Sequence, residues 1–145
     1  MARTRTLCVA LIAAALLLLT TTLSAQAGAR RHMIGAINSA RGWGHIHRVH
    51  LSRRLSRGAS FWAHHLMRAN VIAHSAGALR RHEGEIIEWH TGGRARVGQV
   101  VREWLNSPPH RGVMLARGYH RAGAGRAVGR IGGRRATIWV VRFAR

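Results

Sequence analysis

The apolar positions of this chain fall into three rhythms: an unbroken run at the start, a spacing of three and four through the middle, and a denser pattern at the end. Leu7 to Leu19 carries no charged residue. Met33, Ile34, Ile37 and Ala40 then stand three or four apart, which is the spacing of one helix face, and Gly42-Trp43-Gly44 stops the run. An irregular connector over 44–50 leads to Leu51, Leu55, Ala59, Trp62, Leu66 and Ala69. These predict a longer amphipathic helix ending near Asn70, with Arg53, Arg54, Arg57 and Arg68 off its apolar stripe. Gly58, inside that helix, weakens it by about 1 kcal/mol relative to Ala. Val97, Val100, Val101, Trp104 and Leu105 predict another helix, ending at Asn106. Ser107-Pro108 opens a short one that runs to Met114-Leu115, with Ser as N-cap and Pro in the first helical position. Glycines at 123, 125 and 129, the Gly132-Gly133 turn and the segment Ala136 to Phe143 predict a β-hairpin. Its second strand is apolar on both faces over Ile138 to Val141 and is therefore expected to be buried. Residues 71–90 show no long period. The order helix, helix, loop, helix, hairpin is α+β.

The opening run has a basic start, Met1-Ala2-Arg3-Thr4-Arg5, and ends in Thr20-Thr21-Thr22 followed by Ala25-Gln26-Ala27. That is the layout of a secretion signal, with cleavage expected after Ala27; retention of the run as an anchor is the alternative, since a spanning helix wants roughly 20 apolar residues. Cys8 lies ahead of most of the run and reads as one more apolar residue of the signal. Residues 1–27 are thus assigned to the signal peptide, 28–32 to a short tail, and 33–145 to one domain, with no membrane-spanning segment once the signal is removed. The lone cysteine leaves with the signal, so the domain outside the cell must stand on packing rather than disulfides.

Charge changes the picture further. All 24 basic positions are Arg, the four acids are Glu83, Glu85, Glu88 and Glu103, and the net charge is +20. Such a surface attracts polyanions, whether anionic wall polymer, lipid headgroups or nucleic acid. Nucleic acid fits less well, because aromatic residues are not interleaved with the arginines. Three of the four acids crowd into Glu83-Gly84-Glu85-Ile86-Ile87-Glu88, a concentration that marks a site or the local neutralisation of Arg80 and Arg81.

Taken in order, Ile37-x-x-Ala40-Arg41, the alanine-aromatic stripe of the long helix, Ala73-His74-Ser75, Gly84-Glu85-Ile86 and Val101-x-x-Trp104-Leu105-Asn106-Ser107-Pro108-x-His110-Arg111-x-x-x-Leu115 resemble the CAP superfamily, also called SCP/PR-1, in its bacterial secreted form. The resemblance covers roughly residues 33–143 and is most specific over Trp104 to Leu115. It implies an α-β-α sandwich with a small antiparallel sheet between helical layers. It also implies an open cleft holding a His/Glu tetrad that binds metal in some members. His74 and Glu85 match the first histidine and the Gly-Glu glutamate, and so are the candidate cleft residues and the candidate ligands for a divalent ion such as zinc. Asn106 stands where the family has its second glutamate, and no equivalent of the second histidine is found. The family's Gly-Glu-Asn is Gly84-Glu85-Ile86 here, its Ser-Pro-Gly-His-Arg has Pro109, and its closing-strand Trp-Thr-Gln is Trp139-Val140-Val141.

Other histidines weigh less. His110 follows a Ser-Pro helix start and reads as a structural residue of that turn. His45, His47 and His50 have a chelator-like spacing but lack a carboxylate. No serine lies in a Gly-x-Ser-x-Gly setting, and the absence of Asp removes the usual orienting partner of a catalytic triad. The sequence therefore reads as a secreted or cell-envelope binding module with an acidic partner. The alternatives are a metal-assisted hydrolase using His74 and Glu85, or a cationic membrane- or nucleic-acid-binding protein.

Overall fold

The computed structural model describes residues 24–92 and 95–145. Residues 1–23 of the expected export signal, and Gly93 of the expected Gly92-Gly93 turn, lie outside them. Helix α1 occupies residues 24–43, so the expected cleavage position and the expected tail over 28–32 both fall within helix. There follow β1 (His50–Leu51), α2 (Arg53–Ala69), α3 (Ala76–Arg80), β2 (Gly84–Thr91), α4 (Val97–Asn106), α5 (Pro108–Met114), β3 (Arg121–Ile131) and β4 (Arg134–Ala144). The four strands are ordered β1-β3-β4-β2. The short β1 runs parallel to β3, and the other pairs are antiparallel.

Alternation along the strands gives each sheet face its own core. Ala122 and Ala124 of β3, Trp139, Val141 and Phe143 of β4 and Ile86 of β2 meet α1, α4 and α5 through Met33, Ile37, Val100, Trp104 and Met114. On the opposite face Ala127, Ile138, Val140 and Ile87 meet Ala59, Ala63 and Leu66 of α2. This is the expected α-β-α sandwich. Close approach of α2 depends on the glycines of β3: a Cβ at Gly123 or Gly125 would fall 2.2 Å from the backbone nitrogen of Ser56 or Ser60. The sheet has no side chain at those points because the helix backbone fills the space.

The helix predictions hold at their centres and shift at their ends. Met33, Ile34, Ile37 and Ala40 are buried as expected. Leu51 belongs to β1 and is exposed, because Ser52 caps α2 by accepting from the Leu55 amide at 3.3 Å. Ala69 is also exposed, and Ala63 and Ser56 complete the buried stripe instead. Asn70 ends α2 in the left-handed region, at φ 55, and its Oδ1 accepts from the Gly132 amide at 2.7 Å, tying the helix to the hairpin turn. Strand β2 and helix α3 fill the segment in which no period was found. Both faces of β2 are covered, so Ile86 and Ile87 are buried back to back and alternation is lost.

One buried cation holds the loops beneath the sheet together. Arg41, fully buried, donates to the carbonyls of His47, Met114, Ala116 and Tyr119 at 2.8–3.2 Å. Burial lowers its pKa. Four carbonyl dipoles converge on a guanidinium that has no carboxylate within ion-pair distance among the described residues.

Candidate functional site

Strand β2 carries Glu85 on the α2 face, directly opposite Arg142 of β4 in the antiparallel register. The two side chains, 4% and 5% exposed, form an ion pair with Arg142 Nε donating to Glu85 Oε2 at 2.9 Å. Glu85 Oε1 accepts from the Ser75 amide at 2.7 Å and lies 3.2 Å from His74 Nδ1. The His74 ring is 53% exposed. The structure thus brings His74 and Glu85 together as the sequence suggested, with Arg142 as a third member. Gly58 makes room for it, since a Cβ there would lie 2.6 Å from Arg142 Nη1.

What this constellation can do follows from how its lone pairs are used. Glu85 spends both oxygens inside the protein, on an amide, an imidazole and a guanidinium. Its remaining effect is to orient His74 at the surface. A divalent cation fits these residues poorly: only two ligands are present, and one of them already faces a full positive charge at 2.9 Å. The Ser75 hydroxyl serves as the N-cap of α3, accepting from the Ala78 amide at 3.3 Å.

A pocket of 240 Å³ opens beside His74, lined by Ser75, Ala78, Leu79, Glu83, Glu85 and Val113 among others. Glu83 is buried on its wall between Arg54, at 2.8 Å, and Arg81, at 3.1 Å. Burial is the strongest single influence on this carboxyl and would raise its pKa, but the hydrogen bonds and charges of Arg81 and Arg54 together outweigh it and hold the group below the usual carboxylate range. Asn106 and His110 lie elsewhere. Asn106 is exposed in the last turn of α4, and His110 Nδ1 lies 2.9 Å from Ser107 Oγ. Ser107 is the N-cap residue of α5 with Pro in the first turn, as expected, but its hydroxyl caps no backbone amide and pairs with His110 instead. His47 lies 3.1 Å from the Tyr119 carbonyl and stacks on His120, and no ligand group forms with His45 and His50.

Two features had no counterpart in the sequence reading. The first is a groove of 630 Å³ between α1 and α4, lined by His32, Trp43, Arg48, Arg102, Val101 and Leu105 among others, with no acidic residue on its walls. Trp43, read as part of a helix stop, is 77% exposed at its rim. The second is a meeting of Glu88, His90 and Glu103 across β2 and α4. The signal for it was the Glu88-x-His90 spacing, which places both side chains on one face once the segment is a strand.

The profile of the CAP family, described as the cysteine-rich secretory protein family, matches residues 34–143. The chain belongs to this family. Among solved structures it resembles an outer surface protein from Borrelia burgdorferi, with a TM-score of 0.64 and 20% identity over 78% of this chain and 89% of that one. It also resembles an extracellular SCP-domain protein from Bacillus anthracis, at TM-score 0.63 and 16% identity over 83% of this chain but 41% of that one. BmVAL-1 gives 0.61 and 17%, over 79% and 75%. These likenesses establish the shared fold. A search among curated proteins gave no sequence match.

Proposed function

We propose that this CAP-domain protein is exported and works at the cell envelope as a binding module for an acidic partner, rather than as an enzyme. The observation that carries the reading is the α1–α4 groove: Arg48, Arg102 and His32 surround apolar Val101 and Leu105 beside an exposed Trp43, and no carboxylate offsets them. A partner with an anionic group next to an apolar part, such as a lipid surface or a substituted wall polymer, matches that lining. Export is supported by the basic start and uncharged run of the first residues. The outer-surface and extracellular descriptions of the two bacterial proteins of like fold agree with it. Among the described residues no helix is long and apolar enough to cross a membrane.

Co-sedimentation with anionic and neutral vesicles tests the reading. The chain should bind anionic vesicles at low salt and be released as ionic strength rises, and R48A/R102A should weaken binding. Equal binding to neutral vesicles, or binding that survives high salt, would overturn it. Retention on DNA without retention on vesicles would move the partner class to nucleic acid.

A further inference from the structure

The four glutamates of this chain do not share one fate. Glu83 is held by Arg54 and Arg81, and Glu85 by Arg142. Glu88 and Glu103 have no arginine within ion-pair distance among the described residues, in a chain with 24 of them. They converge on His90 instead. Glu88 and His90 project from the same face of β2, the face packed against α4, and Glu103 comes from α4 itself. One ligand atom from each lies within 4.8 Å of the other two.

The contacts inside this group are those of ligands rather than of a finished hydrogen-bond network. His90 Nε2 lies 2.8 Å from Glu103 Oε2, yet the two atoms do not meet in hydrogen-bond geometry; both are shut off from solvent, and neither has another hydrogen-bond partner among the described residues. A buried imidazole nitrogen and carboxylate oxygen left without hydrogen bonds are both available to a ligand. The second oxygen of Glu103 is fixed separately, accepting from Gln99 Nε2 at 3.1 Å, the kind of outer contact that orients a ligating carboxylate. Glu88 Oε1 is engaged only by the neighbouring Trp89 amide at 3.3 Å.

We infer that Glu88, His90 and Glu103 form a site for a first-row divalent cation, zinc being the natural probe. One imidazole and two carboxylates suit a borderline ion, and donor atoms within 4.8 Å of one another are near the spacing of ligands held at roughly 2.1 Å from zinc. The cation replaces the poorly directed His90–Glu103 contact with three directed bonds. A fourth position is left to water or to an exchangeable ligand. The site lies on the opposite sheet face from His74 and Glu85 and toward the other end of β2, so it does not involve the residues that match the family's tetrad.

Isothermal titration calorimetry of the untagged full chain with zinc chloride at about pH 7.5 tests this. The expected result is one ion per chain, with affinity lowered on the order of tenfold or more in H90A and in the conservative E103Q, and unchanged in H74A. Zinc should raise the melting temperature of the wild type and not of E103Q. Circular dichroism of each variant establishes that loss of binding is not loss of fold. No heat with the wild type would overturn the assignment. So would binding that H90A and E103Q leave intact, or that H74A removes. Vesicle binding measured in H90A keeps this result separate from that of the α1–α4 groove, which the substitution does not touch.

Discussion

The two ends of strand β2 present acidic side chains to opposite sides of the sheet, and the protein treats them in opposite ways. At the first end Glu85 is buried and faces its cross-strand neighbour Arg142. At the far end Glu88 and His90 are part-exposed and meet Glu103 of α4 with no guanidinium in ion-pair distance among the described residues. A carboxylate in an arginine-rich chain is available to a ligand only where the fold keeps arginine away. Resemblance to a family locates Glu85, but charge accounting points to Glu88 and Glu103.

The comparison can be broken most forcefully at the buried pair. Glu85→Ala or Arg142→Ala leaves one charge buried without its partner and is expected to cost about 3–5 kcal/mol in urea unfolding. The double replacement E85L/R142M should cost much less than the sum of the two. Additive costs would mean that Glu85 and Arg142 do not act as a pair. A smaller loss, about 2 kcal/mol, is expected for Glu83→Gln at neutral pH, because the charge behind its hydrogen bonds from Arg54 and Arg81 goes. Its pH dependence has a definite sign. The folded carboxyl titrates below its ordinary 4.5, so its stabilisation is complete above that pH and disappears as the pH falls through the lower folded value. Wild-type stability should therefore drop below about pH 4.5 more steeply than that of Glu83→Gln; parallel curves would show that Glu83 is not held low.

Gly58→Ala sharpens the same end of the strand. In the wild type the new methyl meets Arg142 Nη1 and should cost about 1 kcal/mol. In an Arg142→Met background the sign should reverse, giving a gain of up to about 1 kcal/mol from helix propensity. An identical effect in both backgrounds would show that Gly58 is not there for Arg142. The smallest effect belongs to the far end. Without zinc, Glu103→Gln should change stability by less than about 1 kcal/mol, since its contact with His90 is not a formed hydrogen bond. A larger loss would make the cluster a stabilising ion pair.

Much of this architecture was legible in the sequence, and the parts that were not share a cause. Helix faces with a single buried stripe, such as Met33 to Ala40 and Val97 to Trp104, announce themselves by period, and Ile138 to Val141 announce a strand buried on both faces. Strand β2 did not, because Glu85 is buried by a partner 57 residues away and reads locally as an exposed acid. The candidate site was legible in the same uneven way. His74 and Glu85 were found through motif order, whereas Arg142 was hidden inside an apolar strand and Glu103 inside an amphipathic helix. The groove by Trp43 depends on the packing of α1 against α4, which no local pattern contains. Arg41, assigned only a place in a motif, turns out to be the buried tie between the connector before β1 and the one between α5 and β3.

The fit between Gly58 and Arg142 also orders the mutational paths open to this chain. While Arg142 lies across α2, position 58 accepts no side chain without disturbing it, and Glu85 has no free oxygen to offer. A variant offering a ligand-ready carboxylate in the cleft would have to shorten residue 142 first, passing through a form with an unpaired buried Glu85. Only after that step would position 58 be free to vary. The notch in the helix thus couples positions 58, 85 and 142, so that the change which would open the cleft is also the most destabilising one.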